Sequence, residues 1–369
     1  MKNKGIFYAT EKDIFDALSS KKKKITKELL LDLCNQRGIV LSNEEDRDDI
    51  IEYLAMLPFS FNSLSEITAL IRTFSRAEKT TSSEITSPLS VAEISQVVSA
   101  LKRDREQNGE VYSVISESKE RTIVKVAYSV IDLGMTRLRQ RVDREDIIEF
   151  VNEAGKTKIR RPANDKMGEI ASAFVSEYRR RAEKPVVQET ISLAGVQDSK
   201  LRTFFFVELV TKMTNLTLSD VTHVRVSILG DHSEPSDDDE PDNEEAEEVM
   251  IGYVKRAALD GVGLLYSEEY QDLSAKGFYI SEIRWNAIEK DGDKNKIRFE
   301  ASFADPEQCS EFLYNALGYY KSTDEGFAKT KMTLPLDQKN NMLKAIEESA
   351  KKAQAECERR ITDTKRGKA

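Results

Sequence analysis

The chain has 369 residues, 39% of them hydrophobic and 33% charged, which allows two or three domains with small cores and heavily charged surfaces. Its formal charge of -9 has one source: Asp231 to Glu248 holds eleven Asp or Glu and no Lys or Arg, and taking eleven negative charges from -9 leaves +2. No stretch of about 18 uncharged apolar residues exists to cross a membrane, and Met1 to Gly5 leads into no hydrophobic signal, so no membrane association and a cytoplasmic location are expected.

Taken in chain order, the pattern predicts an α+β, multidomain protein. Residues 1–79 read as an N-terminal helical module. Leu29, Leu30, Leu33 and Cys34 line one side of a helix over Ile25 to Gly38, Ile39 to Leu41 is a short apolar extension, and Ser42 with Glu45 reads as a capping box opening a second helix stopped by Pro58. A third helix is expected over Leu64 to Glu78. The Ser/Thr-rich tract in residues 80–89 reads as a linker.

Residues 90–184 read as a basic α+β domain: a helix near Val91 to Glu106, a hairpin of Glu110 to Ile115 with Thr122 to Ile131, then a strand over Met135 to Val142. On that strand a period of two places Arg137, Arg139 and Arg141 on one face. Helices are expected over Asp143 to Glu153 and Asp165 to Glu183. The octapeptide Arg47 to Leu54 shares five identities with Arg144 to Val151, a pattern common to acid-capped amphipathic helices.

Residues 185–369 read as a C-terminal α+β domain with a strand after Pro185, a helix near Asp198 to Asn215, a strand near Val221 to Leu229, and a disordered acidic insertion at 231–248. Phe278 to Glu289 turns at Asp291-Gly292-Asp293 into Lys296 to Ala304, whose alternation predicts a half-buried sheet with one wet face. Asp305 and Pro306 read as the start of a helix burying Cys309, Phe312, Leu313, Ala316, Leu317 and Tyr320. The terminal helix, 338–364, has a thin stripe of Leu343, Ile346, Ala350, Ala353, Cys357 and Ile361, expected to pack on a neighbour or on a second copy as a homo-oligomer.

The helix, extension, helix of residues 25–57 resembles the SAP family of DNA-binding modules in its Leu-rich first helix, its Arg37-Gly38-Ile39 junction and the Ile-x-x-x-Leu end of its second helix. The resemblance implies phosphate contact at the start of the second helix. This chain departs there, placing Glu44, Glu45, Asp46, Asp48 and Asp49 at that point, which suits the helix dipole and repels phosphate. Lys21, Lys22, Lys23 and Lys24 just upstream keep a nucleic-acid contact open.

The candidate nucleic-acid-binding residues are those four lysines with Arg137, Arg139, Arg141, Arg160, Arg161, Arg179, Arg180 and Arg181, against the plainer reading of a solvated charged surface. No catalytic residues and no cofactor or metal site are assigned. His223 and His232 have no partner at ligand spacing, Cys34, Cys309 and Cys357 are too scattered for a disulfide framework or zinc, and Gly155-Lys156-Thr157 lacks the earlier glycine of a phosphate loop. Asp104 with Glu117, Ser118 and Lys119 has the residue types of a metal-dependent nuclease without its context. Trp285 is placed in the core.

Two classes of function remain. One is a non-enzymatic nucleic-acid-binding or adaptor subunit of a bacterial-type assembly, with DNA or RNA and a protein as partners, in which the acidic run competes for the arginines. The other is an effector or nuclease subunit of a phage-defence or mobile-element system, or a purely structural interaction subunit.

Overall fold

A computed structural model describes residues 8–19, 25–72, 78–105, 108–118, 120–132, 134–138, 140–182, 185–228, 256–260 and 267–366. The elements run α1 (Glu11–Ser19), α2 (Lys27–Asn35), α3 (Arg47–Ala55), α4 (Phe61–Arg72), β1 (Thr80–Ile85), α5 (Val91–Arg105), β2 (Val111–Glu117), β3 (Arg121–Ile131), β4 (Arg141–Glu153), β5 (Lys156–Pro162) and α6 (Asp165–Arg181). There follow β6 (Gln188–Thr190), α7 (Ser199–Thr211), β7 (Leu216–Ile228), β8 (Arg256–Asp260), α8 (Glu268–Ala275), β9 (Phe278–Glu289), β10 (Lys296–Asp305), β11 (Ser310–Tyr320), β12 (Ser322–Thr323), β13 (Gly326–Phe327) and α9 (Leu336–Arg366). The class is α+β with antiparallel strands, and the chain divides into two interleaved units.

The first unit comprises Met1–Arg76, Leu89–Asn152 and Glu169–Pro185. Ile14, Leu18, Leu30, Cys34, Ile50, Ile51, Leu54, Leu64 and Ile67 of α1 to α4 form one buried cluster, and Leu138 belongs to it. Here the structure corrects the expected strand over Met135 to Val142. Residues 134–138 and 140 make turns instead, so Arg137 and Arg141 do not share a strand face, and the segment is fixed by sinking Leu138 among the helices. The Ser42–Glu45 capping box is also corrected, because α3 starts later, with Asp46 as N-cap.

The helix expected over Asp143 to Glu153 is strand β4, paired with β3 from Arg121↔Val151 to Ile131↔Arg141. Its octapeptide is a strand while its near-twin at Arg47 to Leu54 is helix α3, which leaves no duplication. The shared Ile-Ile pair serves either period: α3 buries Ile50 and Ile51 together, whereas β4 buries Ile148 and Phe150 and exposes Ile147. What differs is the adjoining chain, since β3 offers β4 a ladder and no strand pairs with α3 among the described residues. Phe150 packs on Phe174 of α6, with ring centroids 4.5 Å apart.

The second unit comprises Ala77–Pro88, Glu153–Gly168 and Val186–Ala369, and its strands lie in the order β5-β1-β11-β10-β9-β7-β8, with β6 also paired to β1. The Ser/Thr-rich tract expected to be a linker is therefore β1, paired along its length with β5. Thr81 and Ile85 are buried on it, which a flexible tether would not allow.

The helix expected after Pro306 is β11, paired with β10 from Lys296↔Tyr320 to Asp305↔Ser310. Asp305 does cap, with its Oδ1 accepting from the N–H groups of Glu307 at 2.9 Å and Gln308 at 3.0 Å, but the cap closes a turn that Cys309 reverses at φ 48. Gly318, at φ 137, sits where a Cβ would come within 2.5 Å of the Met332 carbonyl. One sheet face carries the core: Trp285 stacks on Phe299 at 5.3 Å, and Phe205 and Phe206 of α7 pack on Phe303. The α9 stripe of Leu343, Ile346, Ala350, Ala353 and Cys357 is buried in this same core, so it is covered within the chain and needs no second copy. Among the described residues no helix is long and apolar enough to cross a membrane.

Candidate functional site

The opposite face of the second unit's sheet is built by strict alternation. On β10, Ile297, Phe299, Ala301 and Phe303 enter the core, so Lys296, Arg298, Glu300 and Ser302 face away. Register carries the polar row across the sheet: Ser302 opposes Glu282 and Glu300 opposes Arg284 on β9, and these in turn oppose Arg225 and His223 on β7. On the other flank Glu300 opposes Asn315 of β11, and Lys79, just before β1, reaches over to donate to Ser302 Oγ at 2.9 Å.

Glu282 is the hub of this belt. Its carboxylate lies 3.0 Å from Arg284, 3.4 Å from Arg225, 3.5 Å from Lys79 and 3.9 Å from His223 Nε2, and Arg284 also approaches Glu300 at 3.5 Å. Burial by itself pushes the Glu282 carboxyl up, but Lys79, Arg225, Arg284 and His223 together outweigh it and hold the pKa below the usual glutamate value. The carboxylates form the floor, with the side chains of Glu282 and Glu300 only 7% and 8% exposed, while those of Arg225 and Arg284 keep 45% and 36% of their surface in water.

Lys79, Arg225, Arg284 and Arg298 thus share a face with Glu282 and Glu300, and register adds Asp220 opposite Asn286 and Asp260 opposite His223. Hydrogen bonding there is incomplete: among the described residues the buried Nε of Arg298 and the Oδ1 atoms of Asn286 and Asn315 make no hydrogen bond, and Arg284 Nε has only its ion-pair approach to Glu300 at 3.5 Å. Guanidinium groups that keep part of their surface in water on such a face can take an anion.

The arginines expected to bind phosphate are not gathered in this way. Arg160 is buried and donates to both oxygens of Glu347 on α9, at 2.8 and 3.0 Å, which corrects its assignment to a binding face. Arg161 pairs with Glu311 at 2.9 Å, and Arg141 with Asp143 at 3.2 Å. Arg180 and Arg181 both pair with Glu177 one turn back, and Arg179 shares their helix end. Arg137 is exposed on a turn. Arg139, Lys21 to Lys24 and the acidic run Asp231 to Glu248 lie outside the described residues.

At the start of α3, Arg47 donates to the carbonyls of Ile25 and Leu18 at 3.1 Å each, and Lys27 to that of Asn43 at 2.6 Å, so these cations tie the helices together. Asp104 is exposed on α5, Ser118 bonds the backbone of Arg121, and Lys119 lies outside the described residues. No group of three His, Cys, Asp or Glu side chains that would hold a metal occurs among the described residues. The three cysteines are buried free thiols, and burial pushes those of Cys309 and Cys357 up to about 11.

A cleft of about 450 Å3 beside β1 and α9 is polar, but its lysines are neutralised in place, Lys156 by Glu189 at 2.8 Å and Lys351 by Glu84. The belt was visible in the sequence only as the wet face of β10. Its other members come from residues scattered over 200 positions along the chain, about the separation of Lys79 from Glu282, and nothing in a local window joins them. The chain matches no protein-family model and no curated protein.

Proposed function

We propose that the protein is a non-enzymatic nucleic-acid-binding subunit that holds phosphates on the belt of Arg225, Arg284, Arg298 and Lys79, not on the arginine clusters the sequence advertises. The observation that supports this most is the gathering of these cations on one sheet face, with the Arg225 and Arg284 guanidinium groups partly in water. Guanidinium forks match phosphate oxygens, and strands at a fixed spacing hold them apart without further ordering. The carboxylate floor prevents the cations from repelling one another when no ligand is bound.

Fluorescence anisotropy against mixed-sequence DNA and RNA tests the reading. Affinity is expected to fall with salt, with a log-log slope reduced by roughly two to three in an R225A/R284A/R298A variant, at about 0.7 to 0.9 per lost phosphate contact. An R180A/R181A variant is expected to bind as the parent does. No binding of any nucleic acid at about 50 mM salt, where backbone contacts are strong, refutes the proposal.

A second reading, protein docking, is favoured by the outer face of β2 and β4, where Val111 and Ile115 are more than half exposed and Ile147 is 42% exposed. Loss of a co-purifying protein from an I115E/I147E variant that still binds nucleic acid would place the partner there.

A further inference from the structure

We infer that the nucleic acid is taken as a single strand, with a base stacked at Tyr320 and Phe327; this rests on the binding reading above. The belt does not stop at Arg298. Two residues earlier on the same face of β10 stands Lys296, one alternation or about 6.7 Å along the strand. Its cross-strand partner is Tyr320 of β11, and the β12–β13 hairpin, where Ser322 pairs with Phe327, brings a second ring to the same place. The Lys296 ammonium lies 4.4 Å from the Phe327 ring centroid and 5.6 Å from that of Tyr320. Both rings are only half-buried, whereas Trp285, Phe299 and Phe303 of the same unit are sealed in the core.

A row of cations ending in a cation held against two rings presents phosphate donors and a stacking surface in sequence. A duplex meets only the first, because its base faces are already stacked on one another; a single strand offers phosphates and free base faces together. Rings stack on any base, so the preference is for strandedness and not for sequence.

The test is anisotropy with the full chain against three labelled ligands of about 16 nucleotides, within the range of known single-strand sites: a mixed-sequence single strand, its duplex, and an abasic strand with the same phosphates. The single strand is expected to bind roughly 5- to 100-fold more tightly than the abasic strand, and more tightly than the duplex, as one stacked base provides. A Y320L/F327L variant, with its fold checked by Trp285 fluorescence, is expected to lose that advantage and keep the abasic affinity. If the variant does not fold, the comparison of the three ligands on the parent chain still decides. Equal affinity for base-bearing and abasic strands, or a preference for duplex, overturns the stacking site and leaves the phosphate belt standing. Failure of all three ligands to bind overturns both.

Discussion

Replacing Glu347 by Gln removes the one negative charge at the centre of a buried cation cluster. The side chain is fully buried, Arg160 donates to it twice, Lys158 lies at 2.7 Å, and the Tyr314 hydroxyl donates to it as well. Arg160 and Lys158 are themselves at least nine-tenths buried, so the substitution takes from two buried cations the carboxylate they share, although Lys158 keeps Glu153 at 3.9 Å. Breaking a buried pair from one side costs about 3–5 kcal/mol. At an m-value of about 2 kcal/mol/M, that lowers the urea midpoint by roughly 2 M. The chain has one tryptophan, and Trp285 sits in the core of the second unit, so its fluorescence reports this unit's unfolding directly. A K158M/R160M/E347L variant, which removes all three charges together, is expected to recover most of the loss. A midpoint shift below about 0.3 M for E347Q, worth well under 1 kcal/mol, would refute the claim that this cluster fastens α9 to β5.

Acid is expected to act through the same group. Burial pushes the Glu347 carboxyl up, but Arg160 and Lys158 outweigh it and hold the folded-state pKa below the ordinary 4.5, as the cations around Glu282 do there. Depressed carboxyl pKa values contribute stability that is present above 4.5 and lost as pH falls through the folded value, so the Trp285 urea midpoint is expected to decline below pH 4.5, and less steeply in E347Q. Parallel declines in the two proteins would assign the acid sensitivity to other groups. Leu138→Ala is expected to cost about 2–5 kcal/mol and to speed amide hydrogen exchange in α1 to α4, because Leu138 is fully buried among those helices. Unchanged exchange would show that the turn is not anchored there. Glu282→Gln, which removes the hub carboxylate, is expected to tighten phosphate binding at low salt while lowering the midpoint; weaker binding would make Glu282 a positioning group for the arginines.

The sequence exposed what depends on short-range pattern and concealed what depends on partners. The hairpin of β2 and β3, the β9–β10 pair with its turn near Asp291, and helices α5, α6, α7 and α9 were all legible, because each carries its own period and its own start or stop. Of those that were not, three carry patterns that point to another structure. Cys309, Phe312, Leu313, Ala316 and Leu317 recur at helical spacing, yet β11 buries Phe312, Tyr314 and Ala316 at a period of two because β10 offers it a full ladder. Thr80 to Ile85 has the composition of a linker, and β4 carries an octapeptide that is helical elsewhere in this chain. In each case the free energy of pairing with a neighbour exceeds local propensities that amount to only tenths of a kcal/mol per residue.

The same division between local and assembled separates the arginines clustered along the chain from those gathered on the sheet. A cluster such as Arg179 to Arg181 lies on one helix with Glu177, and spacings of three and four place its neutralising partner one turn away. Arg160 and Arg161 sit on a strand whose neighbours supply Glu347 and Glu311. These clusters are dense in sequence and partly neutralised in space. Arg225, Arg284, Arg298 and Lys79 are isolated in sequence, each on a different strand or flank, and pairing of the strands brings them to one face around Glu282 and Glu300. A cationic face that must be folded to exist is present only in the native sheet, so the anion binding proposed for the belt is expected to vanish with unfolding of the second unit, whereas attraction by a basic tail would survive it.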